Sequence, residues 1–538
     1  VHSLRRTLLV LVAILSLDAT VSFVNIWPTP FVRWIGDVSV ELAAVVLLLI
    51  VAFGAGLTTP HSIRLARWLS TVWVILAIGR YADVTAPSLW GRDLNFYWDL
   101  RFLPDVAGMI VGASRRAVLF GSVAAASVLG ILALLYLIIS WSFRRLLDAL
   151  ARPWWRAILG PVAAAIVVGF VLQTVGFFGL DLLGEERRIF PRPVTAVYAR
   201  QAKLVAQAVS RSAELPPGPS FDASLGRLHG ADVFLLFVES YGAVTFERPA
   251  LAERLVGPRA TLAAAIHDTG RDVVSALVES PTFGGSSWFA HITFLSGVRV
   301  ADPDTNALLM TERRQTLVTN FVARGYRTIA VMPGLWYPWP EGTFYGFQDL
   351  YNGPKLEYQG PPFGWWDMPD QVTLAKIDKD EVDKLSRQPL FVFFPTVTTH
   401  TPFMPLPSYQ ADWSRLLTPH PFDEADLARA YGSEPDWFNL SPAYADSVAY
   451  AYETFAGYVR RRARRDYVLI LIGDHEPPAL VSGPGATWDV PIHVITNRRD
   501  ILDDLVGHGF VRGLTPARPH AGQMQDIVPP LLQAFSGE

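Results

Sequence analysis

Four groups of residues in the second half of this 538-residue chain could carry chemistry, and three of them close an apolar run of strand length. Glu239 closes the apolar part of ADVFLLFVES, one residue before its end. His400 follows LFVFFPTV in the segment THTPF, and Asp474 and His475 stand in GDHE, just after YVLILI. The fourth group is the serine pair Ser286 and Ser287 in SPTFGGSSWFAHITFLSG. A hard divalent ion takes carboxylate oxygens and accepts one imidazole, so Glu239, Asp474 and His475 form a set suited to Mn²⁺, Mg²⁺ or Zn²⁺. Each alone is weak, because a Glu after a strand is usually solvated and an Asp-His pair is more often a cap or a turn. The glycines before the serines permit a tight turn, and the residues after them have helical periodicity. Both serines therefore fall at a helix N-terminus, where N–H groups and dipole favour an anion. That suits a nucleophile for phosphate, and the competing role of N-cap needs only one of the two.

The elements that must position these groups alternate. Strand-like runs (ADVFLLFV, DVVSALV, YRTIAVM, LFVFFPTV, YVLILIGD) are interleaved with helical patterns such as 249–269, which predicts a doubly wound, mostly parallel α/β sheet. In such sheets ligands bind beyond the carboxyl ends of the strands. The segment FGWWDMPD offers Trp365, Trp366, Asp367 and Asp370 as a pocket wall, against a default of aromatic packing. His493, inside the strand-like DVPIHVI, and His520, near a terminal helix, read as structural.

The first 180 residues imply a different solvent. Five runs approach the roughly 20 residues of helix that cross a bilayer: 8–26, 42–57, 68–78 with its flanks, 118–141 and 158–180, of which the second and third are short. Arg5 and Arg6, then Arg64 and Arg67, then Arg144, Arg145, Arg152 and Arg156 all fall on one side, the cytoplasmic side by the positive-inside rule. Arg115 and Arg116 fall on the other. Five spans with a cytoplasmic N-terminus leave the second half outside the inner membrane of a bacterium. Asp18, mid-span, calls for a partner, and Arg80 is available for it. The expected division is a transmembrane domain over 1–182, a linker with a helix over 183–227, and a catalytic domain over 228–538. A net charge of −3 without a basic block excludes a nucleic-acid partner, and the absence of cysteine removes thiolate chemistry.

The run from Ser287 to Gly297 resembles the nucleophile helix of the alkaline phosphatase superfamily, in which Ser, Thr or modified Cys precedes a Thr/Ser-Gly pair by this interval. That register makes Ser287 the nucleophile and puts His291 where nucleotide pyrophosphatase relatives have His. Alignment on the loop of lipoteichoic acid synthases selects Ser286 instead. The whole layout, five spans and then VES, GGSSW, THTPF and GDHE in order, is similar to the lipoteichoic acid synthase and phosphoglycerol transferase family over nearly the full chain. The resemblance implies an alkaline-phosphatase/sulfatase-like domain with one divalent ion, Mn²⁺ before Mg²⁺ or Zn²⁺. Its ligands would be Glu239, Ser287, Asp474 and His475, with His400 contacting the substrate phosphate. The chain departs from the family where a Trp-x-Arg grips glycerol phosphate. Here LWYPWPEGTFYGF offers Trp336 or Trp339 and replaces the cation by Glu341, and a carboxylate suits a polyol or an amine better than a second phosphate.

The resemblance thus implies an integral membrane transferase. It would move a phosphoglycerol or phosphoethanolamine headgroup from a phospholipid to an acceptor alcohol on an envelope glycan or lipid, through a covalent Ser287 ester. Two readings compete. A phosphodiesterase or sulfatase-like hydrolase shares the covalent step, although a formylglycine sulfatase needs C/S-x-P-x-R and Ser287 is followed by Trp, Phe, Ala and His. A non-catalytic envelope scaffold would betray itself by a missing metal ligand, and all four are present.

Overall fold

The computed structural model describes residues 2–26, 29–57, 62–90, 94, 115–175, 190–210, 215, 218–336, 339 and 342–537. The chain divides into two compact units, one of 1–88 with 93–211, the other of 212–538 with 89–92.

The first unit is helical: α1 His2–Ser22, α2 Val40–Gly54, α3 Ile63–Trp90, α4 Arg115–Leu150, α5 Pro153–Thr174 and α6 Val194–Ser210. The five apolar runs are thus five helices, α1 to α5. Among the described residues, three stretches are long and apolar enough to cross a membrane, Ile63–Ala86, Gly121–Leu150 and Pro153–Thr174. At 15 residues, α2 reaches only about 22 Å, and α1 carries Arg5, Arg6 and Asp18. The pairing of Asp18 with Arg80 does not form. Asp18 instead accepts the Ser39 N–H at 2.8 Å and the Ser22 hydroxyl at 3.1 Å, while Arg80 Nε donates to the Phe23 carbonyl at 2.9 Å. The backbone around the N-cap of α2 supplied the partner that charge alone had suggested elsewhere. Helix α3 continues well beyond the apolar run 68–78, to Trp90; of residues 91–114 only residue 94 is described.

The second unit is built on an eight-stranded sheet: β1 Asp232–Val238, β2 Asp272–Glu279, β3 Arg327–Met332, β4 Asp349–Asn352, β5 Leu390–Pro395, β6 Tyr467–Gly473, β7 Asp489–Thr496 and β8 Val511–Arg512. Their order across the sheet is β8-β2-β7-β6-β1-β5-β3-β4. The pairings run all strands but β7 and β8 in one direction, so the sheet is mostly parallel. Every residue of β1 is buried, because helices cover both faces. Phe234, Leu236 and Val238 pack toward the helices Val256–Asp268 and Ser441–Arg461. Val233, Leu235 and Phe237 pack toward Trp288–Ser296 and Val528–Ser536. Alternation across a buried strand leaves β1 no freedom to slip, since a one-residue shift would exchange both cores. Its C-terminal end is fixed accordingly, and Glu239 with it.

Candidate active site

β1, β2, β5 and β6 run the same way, so their C-terminal ends meet at one edge of the sheet. Glu239 leaves β1 there, Asp474 and His475 leave β6, and the loop after β5 carries His400. Beyond β2, Gly284 and Gly285 at φ 65° and 147° and Ser286 at φ 61° turn the chain sharply into the helix Trp288–Ser296. Gly473 closes the approach of β6 to β1: a Cβ there would lie 1.9 Å from the Tyr241 carbonyl oxygen, so only glycine fits.

The result is a tight cluster. Ser287 makes no side-chain cap on its own helix. Its Oγ instead donates to Oε2 of Glu239 at 2.9 Å and lies 3.1 Å from Nε2 of His475. His475 Nε2 stands 3.5 Å from Glu239 Oε1 and 3.8 Å from Asp474 Oδ1. Candidate ligand atoms of Glu239, Asp474 and His475 all lie within 4.8 Å of one another. His475 Nδ1 faces the Glu476 carbonyl at 2.8 Å, which places the proton there and turns the Nε2 lone pair into the cluster.

The electrostatics fit a cation at this point. Burial and the neighbouring Glu239 push the Asp474 carboxyl well above its ordinary range. Burial would also raise Glu239, but His475 and His400, with hydrogen bonds from Asp474 and Ser287, hold it below the usual carboxylate range. Burial lowers His475, against the pull of Glu239. Among the described residues no lysine or arginine pairs with either carboxylate. Two buried acids beside an imidazole, with no lysine or arginine to pair them, are what a divalent ion would complete.

His400 follows a loop that Asp370 secures from beneath. That carboxylate accepts the N–H groups of Val397 at 2.7 Å and Thr398 at 3.1 Å and is 2 % exposed; it supports the pocket and does not wall it. Trp365 lies along the His400 ring at 6.1 Å between centroids and Trp366 meets it edge-on at 5.9 Å. His400 Nδ1 is engaged by the Thr401 carbonyl at 2.7 Å, which leaves Nε2 for a ligand.

The remaining residues expected at the site are placed differently. His291 is buried between Phe237, 4.7 Å away, and Phe393, 5.5 Å away, and burial lowers it to about 3. Its helix is buried against the sheet, and its Nε2 is buried without a hydrogen-bond partner among the described residues. Trp339 stacks on Tyr345 at 5.2 Å and joins the core, whereas Trp336 is 52 % exposed. Glu341 lies outside the described residues. Ser286 supplies the strained turn, its carbonyl accepting the Phe289 N–H at 2.9 Å. Sequence reading passed over Ser240, Thr396 and Thr399. The Thr396 hydroxyl takes the Glu239 N–H at 3.1 Å, and Thr399 donates to the Glu239 carbonyl at 2.5 Å. A Thr-rich segment behind a strand was the only signal available.

These features define a class: a serine hydroxyl over a cluster of two acids and a histidine at the carboxyl edge of a mostly parallel sheet, in a chain that also carries apolar helices of membrane length. No family model and no curated protein matches the chain. Among solved structures, it is similar to the integral membrane lipooligosaccharide phosphoethanolamine transferase A of Neisseria meningitidis, at 14% identity, covering 98% of this chain and 95% of that one with a TM-score of 0.47. It is also similar to the lipoteichoic acid synthase LtaP of Listeria monocytogenes, with 13% identity, coverage of 62% and 78%, and a TM-score of 0.35. A third is the Streptococcus pyogenes phosphoglycerol transferase GacH, with 14% identity, coverage of 64% and 81%, and a TM-score of 0.34.

Proposed function

We propose that the chain is a membrane enzyme that transfers a phosphoglycerol- or phosphoethanolamine-type headgroup from a phospholipid to an acceptor alcohol on an envelope glycan or lipid. The observation that carries this reading is the Ser287 hydroxyl, turned away from its own helix and held by Glu239 and His475. Glu239, Ser287, Asp474 and His475 would hold one divalent cation, which when bound would lower the pKa of the serine hydroxyl and offset charge on the phosphate.

Ser287 Oγ releases its proton to water and forms a bond to phosphorus as the bond from phosphorus to the diacylglycerol oxygen breaks. The N–H groups of Ser287 and Trp288 have no backbone acceptor among the described residues, and at this helix start they face charge developing on the phosphoryl oxygens. His400, through Nε2, gives the departing alkoxide its proton. In the second half the acceptor hydroxyl attacks as it passes its proton to His400, the bond from phosphorus to Oγ breaks, and Ser287 takes a proton back from water. A lipid donor explains why apolar helices belong on the same chain: the headgroup is met at a surface, at high effective concentration. The positive-inside rule, applied to the basic loops of the first unit, supports a cytoplasmic N-terminus and a catalytic unit outside the inner membrane.

The test is turnover of labelled phosphatidylglycerol and phosphatidylethanolamine by the detergent-purified chain, with and without Mn²⁺. A headgroup mass on the Ser287 peptide, formed only with the metal, is the expected result. Full turnover by Ser287→Ala would contradict the assignment.

A further inference from the structure

Between the two carboxylates sits Ser240, the last residue of the VES run, to which the sequence assigned no role. Ser240 is 2 % exposed and holds φ at 54°, a left-handed conformation disfavoured for any residue with a Cβ. A strand continued past Val238 would send the side chains of residues 239 and 240 to opposite faces. The left-handed turn brings them together. The Ser240 N–H then donates to Oδ1 of Asp474 at 2.8 Å, and its hydroxyl donates to Oε1 of Glu239 at 3.0 Å. Its carbonyl accepts from the hydroxyl of Tyr444, 2.8 Å away and fully buried on the helix Ser441–Arg461.

Those donors are not placed at random. The second N–H on Asp474, from His475 at 2.7 Å, also falls on Oδ1, so among the described residues Oδ2 takes neither of these N–H donors. On Glu239, Ser240 takes Oε1 while Ser287 takes Oε2, so the hydroxyl of Ser240 fixes the rotation that presents Oε2 to the nucleophile. We propose that Ser240, held in its left-handed turn by Tyr444, is a positioning residue that selects the carboxylate oxygens offered to the cation and so sets the site's metal affinity. The inference rests on the metal site put forward under the proposed function.

The test is calorimetric titration of Mn²⁺ into the full chain in detergent, for the unsubstituted protein, Ser240→Ala, Ser240→Gly and Tyr444→Phe. The unfolding temperature of each metal-free protein is measured alongside. Ser240→Gly keeps the N–H and relieves the left-handed backbone, so it isolates the hydroxyl. Both Ser240 variants are expected to raise the Kd for Mn²⁺ about 10- to 100-fold, with Ser240→Gly no less stable metal-free than the parent. Tyr444→Phe is expected to raise Kd by a smaller factor. A Kd within twofold of the parent in both Ser240 variants overturns the inference and leaves the site standing. A rise in Kd that tracks a fall in metal-free stability assigns Ser240 to folding and overturns it as well. A parent chain that takes up no Mn²⁺ overturns the metal site and the inference with it.

Discussion

A serine at the start of a helix ordinarily turns its hydroxyl back onto the N–H two or three residues on. Ser287 forgoes that bond for Glu239 and His475, a choice that only a site can repay. Ser287→Ala is therefore expected to cost at least about 10³-fold in kcat, with metal affinity reduced and the fold intact, measured by lipid turnover and the metal-free melting curve. Glu239, Asp474 and His475 were legible because each closes an apolar run whose burial on both faces leaves only its end free for chemistry. Ser240 was not legible: its role depends on a left-handed φ and on a tyrosine 204 residues away, and neither leaves a local trace. For His291 the position was legible and the surroundings were not. Its spacing matched a motif, but the helix buries that face against Phe237 and Phe393.

At the scale of elements, hydrophobic runs announced the strands and not their directions. β7 reads like its neighbours and runs opposite to them, because Val and Ile fill a buried strand equally well either way. His493 lies inside β7, with Nδ1 2.6 Å from the Ser275 hydroxyl and Nε2 3.0 Å from the Tyr241 hydroxyl. Burial, and secondarily Arg259, depress it to about 3. A group depressed in the folded state stabilises above its unfolded pKa, near 6.5, and that contribution drains away as pH falls through 6.5 toward 3. The full loss is on the order of 5 kcal/mol. His493→Gln cannot titrate, so its urea midpoint is expected to fall less between pH 7 and pH 4 than that of the parent; equal falls would remove His493 from the acid response.

For the molecule as a whole, composition separated an apolar helical part from an α/β part before any motif was read. The exact reach of α2 and α3 was not visible, since hydropathy does not show where a helix stops once polar side chains find partners such as the cap at Ser39. The orientation rests on arginine placement, and the chain's lack of cysteine makes it testable without background. A cysteine introduced at Ser433, on the exposed surface of the catalytic unit, is expected to react with a membrane-impermeant maleimide in spheroplasts. One at Ser62, beside Arg64, is expected to react only after permeabilisation. The reverse pattern would invert the topology. Independent of that topology stands the claim that Glu239, Ser287, Asp474 and His475 enclose one divalent ion. Anomalous diffraction from crystals soaked in Mn²⁺ tests it most directly. The account predicts a single peak at about 2.0–2.3 Å from an oxygen or nitrogen of each of the four side chains, and a peak elsewhere, or none with Mn²⁺ in excess, would contradict it.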